Sequence, residues 1–467
     1  MGDEALSELL ARPTVLVSNR GPVGFRLGDD GELVARRGAG GLVSGLMPIV
    51  AEHRIAWIAA AMSDADRVAA AHGLIDADGL TVRLLDIDPV TYDAAYNTVC
   101  NASLWFWHHH LFDLTRTPVF DAGWHRAWAS FREVNARFAD AVAEVAPTDA
   151  TVLVQDYHLS LVGSMLAERR PDLRSVHFAH TPFVAPELLG VLPDAAVDEL
   201  LAGLAANHAC GFHSQRWADN FERGVATRLG PEAVPHTFVS PLPPDLDGVA
   251  ATARSPESQT ARRHLDEVVG DRAFLVRVDR VEPSKNLLRG FQAFAALLDE
   301  HPEWHERVVF GAFVYPSRGG VPEYARLWDE VQALVSSIND RFATAGWTPV
   351  VLDGTDDFPR SIAALSRADA VMVNPVRDGL NLVAFEAAIV NDVDGVLLLS
   401  PEAGGWDQLG PVAVRIHPFD IAQGASALHE ALSLDATERA RRSTAWRAAA
   451  AARRPTDWLV DQLNAAS

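Results

Sequence analysis

Short apolar, β-branched runs alternate with longer stretches of helical periodicity along most of the chain. TVLVS (14–18), AWIAA (56–60), VRLLDI (82–87), TVLVQ (151–155), SVHFA (175–179) and TFVS (237–240) read as strands. Residues 123–146 and 159–169 repeat their apolar positions at the spacing of amphipathic helices. This alternation predicts an α/β fold with a parallel sheet covered by helices on both faces. The pattern breaks at 241–263, which is rich in Pro, Asp, Ser and Ala. A second series follows: AFLVRV (273–278), RVVFGAFV (307–314), TPVVL (348–352), AVMVN (370–374), GVLLLS (395–400) and VAVRI (412–416). Two doubly wound, Rossmann-like domains facing a cleft are expected, over 13–245 and 246–435. Helices are expected over 436–467, packing back on the first domain, with Pro455 as a break or a helix start.

Composition narrows the classes. The chain has 467 residues, 48 % hydrophobic and 22 % charged, which excludes wholesale disorder and exceeds what one core serves. Forty Lys and Arg against 62 Asp and Glu give a formal charge of −22. A surface built mainly for nucleic acid is therefore not expected, although a local basic pocket for one small anion is compatible. Two cysteines, Cys100 and Cys210, make neither a disulfide framework nor a four-cysteine zinc site. No segment approaches the roughly 18 apolar residues of a membrane helix. The acidic start MGDEALSELLARP lacks the order of a secretion signal, so a cytoplasmic protein without a membrane partner is expected. The sequence carries no reading of oligomeric state.

Ligands of doubly wound sheets sit beyond the carboxyl ends of strands, and polar segments lie there. SNRGP (18–22) follows the first strand, and RRGAGGLVSGL (36–46) carries glycines that let backbone amides approach a phosphate, or form a tight turn. Its spacing is not that of a dinucleotide fingerprint. YNTVCNASLWFWHHH (96–110) offers Tyr96 and Trp105 as walls for a polar ligand or as core; its three consecutive His cannot face one ion from a helix. VQDYHLSLVG (154–163) and HFAHTPF (177–183) place Asp156, His158 and His180 at ends of apolar strands. RVDRVEPSKNLLRGF (277–291) sets Arg280 and Lys285 before a helix, where they face an anion or pair with Asp279 and Glu282. AVMVNPVRDGLNLVAFEA (370–387) ends a strand in a polar turn with Asp378, Asn381 and Glu386 around a helix start, suited to phosphates on amides and ribose hydroxyls on Glu386. D-x-D pairs are scattered along this acidic chain, too many to mark a metal site.

Taken in order, these segments, with GFHSQRWADNF (211–221), YPSRG (315–319), LLLSPEAGGWDQLG (397–410) and IHPFD (416–420), resemble trehalose-6-phosphate synthases, the glycosyltransferase family 20 group with the GT-B fold. The resemblance covers roughly 13–435 and is to the actinobacterial type. It implies a nucleoside-diphosphate glucose donor, a glucose 6-phosphate acceptor, an α,α-1,1-linked product with retained configuration, and no metal or cofactor. By position it implies that Arg20, Tyr96, Trp105 and Arg318 hold the acceptor phosphate and that Asp156 holds the acceptor hydroxyls. It likewise implies that His180 lies at the donor glucose, its carbonyl near the anomeric centre, that Arg280 and Lys285 meet the diphosphate, and that Asp378 meets the donor hydroxyls. It implies further that Asn381, Leu382 and Val383 form the phosphate turn, that Glu386 takes the ribose, and that Gly40 and Gly41 belong to a loop closing over the donor.

Some positions depart from the family pattern. Trp57 is followed by alanines where a second Trp is common, Phe385 replaces a Lys or Tyr, and PLPPD (241–245) replaces a Pro-x-Gly-Ile turn. In GTDDFPRS (354–361), Asp356 or Asp357 suits the paired N–H donors of guanine, which leans toward GDP-glucose over UDP-glucose; alternatively both cap the next helix. Competing readings are a relative with another acceptor (a glucosylglycerol-phosphate synthase or a pseudo-glycosyltransferase) and a silent sugar-phosphate sensor on the same fold. Retention of Arg280, Lys285 and Glu386 ranks the sensor low.

Overall fold

The computed structural model describes residues 9, 11–28, 32–37, 46, 47, 50, 55–77, 79–317 and 321–467. The chain forms two compact units, one of residues 1–242 with 455–467, the other of residues 243–454. Among the described residues no helix is long and apolar enough to cross a membrane.

The first unit holds β1 (Thr14–Ser18), β2 (Val23–Leu27), β3 (Leu33–Arg37), β4 (Ala56–Ala60), β5 (Leu74–Ala77), β6 (Leu80–Leu85), β7 (Thr151–Gln155), β8 (Arg174–Ala179), β9 (Ala209–Phe212) and β10 (His236–Val239). Eight of them form one sheet in the order β10-β9-β8-β7-β1-β4-β6-β5. All pairs are parallel except β5 with β6. β2 and β3 form a separate antiparallel hairpin. The central strands are buried along their length, as expected for strands covered on both faces. Helix Ala122–Val145 starts where Asp121 accepts from the Trp124 amide, and it buries Trp124, Trp128, Phe131 and Phe138 along one face.

The second unit holds β11 (Ala273–Val281), β12 (Val308–Pro316), β13 (Val350–Asp353), β14 (Ala370–Val373), β15 (Val396–Leu399) and β16 (Val414–Arg415). They make one parallel sheet in the order β13-β12-β11-β14-β15-β16. Both sheets reverse their direction of growth, between β1 and β7 and between β11 and β14. At such a switch point the adjacent crossovers run to opposite sides and leave a crevice at the strand ends.

The structure differs from the sequence expectations in a few places. Asp245, expected as the last residue of the first domain, caps helix Leu246–Ala253 and lies with the second unit. The tail expected as one body over 436–467 is divided. Helix Ala436–Ala450 stays with the second unit, where the indole of Trp446 donates to the Ala384 carbonyl at 2.9 Å. Helix Pro455–Ala465 joins the first unit, with Trp458 edge-on to Phe178 at 4.9 Å. Four of the D-x-D pairs serve local ends: Asp66, Asp88 and Asp245 accept backbone amides at helix starts, and Asp392 pairs with Arg262.

β9 was not expected, being four residues long with a central Gly211. A Cβ there would lie 2.4 Å from the Phe178 ring and 2.5 Å from that of Phe238. Gly211→Ala is expected to destabilise the fold by about 1–3 kcal/mol through overpacking; urea unfolding checks it, and an unchanged midpoint would contradict the close packing of β8, β9 and β10.

Candidate active site

In the first unit the site residues sit on both sides of the switch point. The turn after β1 is pinned by Ser18, whose hydroxyl donates to the Arg20 carbonyl at 2.6 Å and accepts from the Trp57 indole at 2.7 Å. The exposed Arg20 guanidinium donates to the Tyr96 hydroxyl at 3.2 Å. Tyr96 lies on a π-helical segment, Ala94–Leu104, a rare conformation that is frequent at functional sites. Its ring stacks between those of Tyr92 and His158, at 5.6 and 5.8 Å. Trp105 is 3 % exposed, stacked on His109 at 4.2 Å, so the structure buries it among aromatic neighbours.

After β7, Asp156 has φ 70° and ψ 167°, a conformation natural to glycine that costs other residues about 1–3 kcal/mol. Several bonds hold it there. Its amide donates to the Phe178 carbonyl at 2.8 Å, and its own carbonyl accepts from His177 Nε2 at 3.1 Å. Its carboxylate accepts the His180 amide at 3.1 Å and lies 3.7 Å from His158 Nδ1. Burial drives His177 down to about 4, so it is a neutral donor. The ends of β7 and β8 thus bring Asp156, His158 and His180 together.

In the second unit, β11 carries Arg277 in the middle of an apolar strand. That buried guanidinium bonds Asp279 at 3.0 Å, the Lys285 carbonyl at 2.8 Å and Asn374 at 3.1 Å. Sequence reasoning did not single out Arg277; a lone cation inside AFLVRV was the available signal. Lys285 Nζ donates to Asp378 at 2.5 Å and lies 3.9 Å from Asp279. Burial opposes its charge, but Asp378, Asp279 and Glu282 outweigh burial and hold the ammonium above its ordinary range. Arg280, half exposed, pairs with the buried Glu282 at 3.0 Å. The local ion pairing foreseen for this loop is therefore present, and it joins the β11 end to the β14 end.

Beyond β14, Asn381 has φ 74° and donates to Asp378 at 3.1 Å. Leu382 caps the helix Val383–Val390, and Glu386 lies one turn in. Burial pushes the Glu386 carboxyl up to about 7, and among the described residues no side chain donates to it. Asp357 spends Oδ1 on capping helix Phe358–Arg367 through the Arg360 amide at 3.0 Å, which is the capping alternative to base recognition. Asp356 is exposed beside Tyr315 and helps raise that phenol, after burial. Gly40, Gly41 and Arg318 lie outside the described residues.

Among the described residues one histidine–carboxylate cluster is close enough for a metal: His301, Glu303 and His429. The two rings stack nearly parallel at 3.7 Å. The Trp304 indole already donates to His429 Nδ1 at 3.1 Å. The cluster is a stacked pair tied to a carboxylate.

The sequence model of glycosyltransferase family 20 matches residues 12–467. A trehalose-6-phosphate synthase of Mycobacterium sp. (strain KMS) is 33 % identical over 457 residues, 93 % of this chain and 90 % of that protein. A probable UDP-forming alpha,alpha-trehalose-phosphate synthase of Arabidopsis thaliana is 31 % identical over 94 % of this chain. This chain spans only 54 % of that protein, and 62 %, 58 % and 48 % of three further curated relatives. Among solved structures, one from E. coli described as bound with UDP-2-fluoro glucose is similar at TM-score 0.84 and 25 % identity, over 96 % of this chain and 98 % of that one. A UDP-forming synthase from Burkholderia xenovorans, in complex with glucose-6-phosphate, is similar at TM-score 0.83 and 25 % identity, over 96 % and 98 %.

The raised Glu386 carboxyl has a consequence for stability. The folded state holds a proton that the unfolded state releases near 4.5, so stability falls as pH rises from about 4.5 to about 7. Glu386→Gln is expected to be more stable than the parent at pH 8, by about 1–3 kcal/mol, and no different below pH 4.5. Chemical denaturation at both pH values checks this; a variant less stable at pH 8 would show that a charged Glu386 is favourable in the fold.

Proposed function

Because this chain belongs to glycosyltransferase family 20 and has the GT-B architecture, we propose that it transfers glucose from a nucleoside-diphosphate glucose to glucose 6-phosphate, giving α,α-trehalose 6-phosphate. The observation that carries the reading is the second unit's switch point. Lys285 and Asp378 are locked together there, beside Asn381, a helix start and the open Glu386 carboxylate. A diphosphate displaces Asp378 from Lys285, meets Arg280 and the amides at 382 and 383, and frees Asp378 for glucose hydroxyls. The ribose hydroxyls donate to Glu386. In the first unit, Arg20 and Tyr96 take the acceptor phosphate and Asp156 its sugar hydroxyls.

In the step itself the bond between glucosyl C1 and the diphosphate oxygen breaks, leaving the electron pair on the phosphate. The acceptor's anomeric hydroxyl forms the new bond on the same face, and its proton passes to a leaving phosphate oxygen. Negative charge grows on the diphosphate, where Arg280, Lys285 and the helix start are already oriented. No carboxylate nucleophile is required, and holding both sugars in register supplies much of the acceleration. Retention of configuration is part of this proposal.

The donor base has support on both sides. Exposed Asp356 suits guanine, whereas relatives from Arabidopsis and Burkholderia are named UDP-forming. Glucose 6-phosphate incubated with GDP-, UDP- or ADP-glucose, with products read by NMR and mass spectrometry, tests the reaction and the base together. Trehalose 6-phosphate is the expected product. UDP-glucose as the fastest donor would remove Asp356 from base recognition. Nucleotide binding without product would turn the reading to another acceptor or to a sensor.

Two further outcomes are expected. Arg280→Ala and Lys285→Ala each lower kcat by about 10²–10³-fold, the usual scale for a lost oriented charge. EDTA leaves the rate unchanged; a loss restored by a divalent ion would show that the cations do not suffice.

A further inference from the structure

A buried hydrogen-bond chain crosses the carboxyl edge of the first unit's sheet, and its chemistry sets its direction. The Leu242 amide meets His213 Nδ1 at 3.3 Å. His213 Nε2 meets His180 Nδ1 at 3.2 Å, and His180 Nε2 meets Gln155 Oε1 at 3.0 Å. The Gln155 amide nitrogen then donates to Gln462 Oε1 at 3.3 Å. His213, Gln155 and Gln462 are each at most 2 % exposed.

A backbone amide only donates, so His213 Nδ1 accepts and the neutral ring carries its proton on Nε2. That proton goes to His180 Nδ1, which leaves His180 with its proton on Nε2, donated to Gln155. Protonating either ring would set two donors face to face. Burial, then His213 and His177, keeps His180 well below its ordinary range, in accord with this arrangement.

The ends of the chain are informative. Leu242 is the last residue before the polypeptide leaves this unit, and Gln462 lies on the helix that returns to it. His180 is therefore tied by its ring to the exit and the return, and by its own amide to the Asp156 carboxylate at 3.1 Å. The Phe178 ring packs on both imidazoles at 5.0 Å.

We propose that His213 is a positioning residue for the transfer reaction: it imposes one tautomer on His180, fixes that ring at the end of β8, and so holds the His180 main-chain amide on the Asp156 carboxylate that meets the acceptor hydroxyls. A merely space-filling histidine would tolerate an isosteric group without effect on kinetics. The kinetic part of this inference rests on the function proposed above; the tautomer part does not.

Histidine side chains of the full chain, labelled with ¹⁵N, are observed by NMR at pH 7.5, with His213→Phe, His213→Asn and His213→Gln beside the parent. The parent is expected to show His180 and His213 both protonated on Nε2. His213→Gln keeps a donor near the Nε2 position and stays within about threefold of the parent in kcat. His213→Asn keeps the acceptor for Leu242 but loses the donor to His180. It and His213→Phe are expected to lose about 10–100-fold in kcat and to raise the acceptor KM, with nucleotide affinity unchanged. In both, His180 becomes a mixture of tautomers. Parent-like kinetics in a folded His213→Asn, or an Nδ1 proton on His180 in the parent, would overturn the proposal. If the parent itself shows no transfer, the function proposed above fails, and the His180 tautomers in parent and His213→Asn still decide whether the relay exists.

Discussion

Reversal of strand order is the constraint on which the rest depends. A parallel sheet hides its strands under helices and exposes polar backbone only at its ends. Where growth changes direction, at β1/β7 and β11/β14, the adjacent crossovers run to opposite sides of the sheet. Both places hold a polar residue in left-handed backbone close after a strand, Asp156 at φ 70° and Asn381 at φ 74°. Asp156 is bound to partners at the end of β8, and Asn381 to Asp378 of its own loop, which offsets the conformational cost. The strain and the site therefore coincide for one reason.

Charge follows the same logic. A chain of net charge −22 is a poor host for a dianionic ligand unless cations are kept ready. Lys285, Arg280 and Arg277 are each paired with a carboxylate of their own unit. Arg277 is fully buried and supports the Lys285 carbonyl, whereas Arg280 is half exposed. Burial is graded from Arg277 through Lys285 to Arg280, and removing only one member of the buried Arg277–Asp279 pair would leave an uncompensated charge.

Much of this was legible in the sequence because buried parallel strands are continuous apolar runs: β1, β4 and β7 begin and end where their composition does. The polar residues just beyond them were visible for the same reason. What stayed hidden depends on contacts between distant residues. β9 is short, and its glycine answers to Phe178 and Phe238 on neighbouring strands. β2 and β3 carry charges among their apolar positions and pair outside the main sheet. The Lys285–Asp378 pair and the part played by His213 each need a sheet register that a linear pattern does not contain. Asp357 shows the opposite case, where a local capping rule readable in the sequence is met in the fold.

The division of the first unit around the second also has a consequence in time. Residues 243–454, or 454 − 242 = 212 residues, are synthesised between Leu242 and the helix that fills the gap beside Phe178. At about 5–20 residues per second on the ribosome, that interval is about 10–40 s. Throughout it, the nascent first unit presents an unfilled apolar seat for Trp458 and an amide of Gln155 without its partner, while the second unit is free to fold. Packing around Phe178 is therefore completed only once the helix carrying Trp458 has been made.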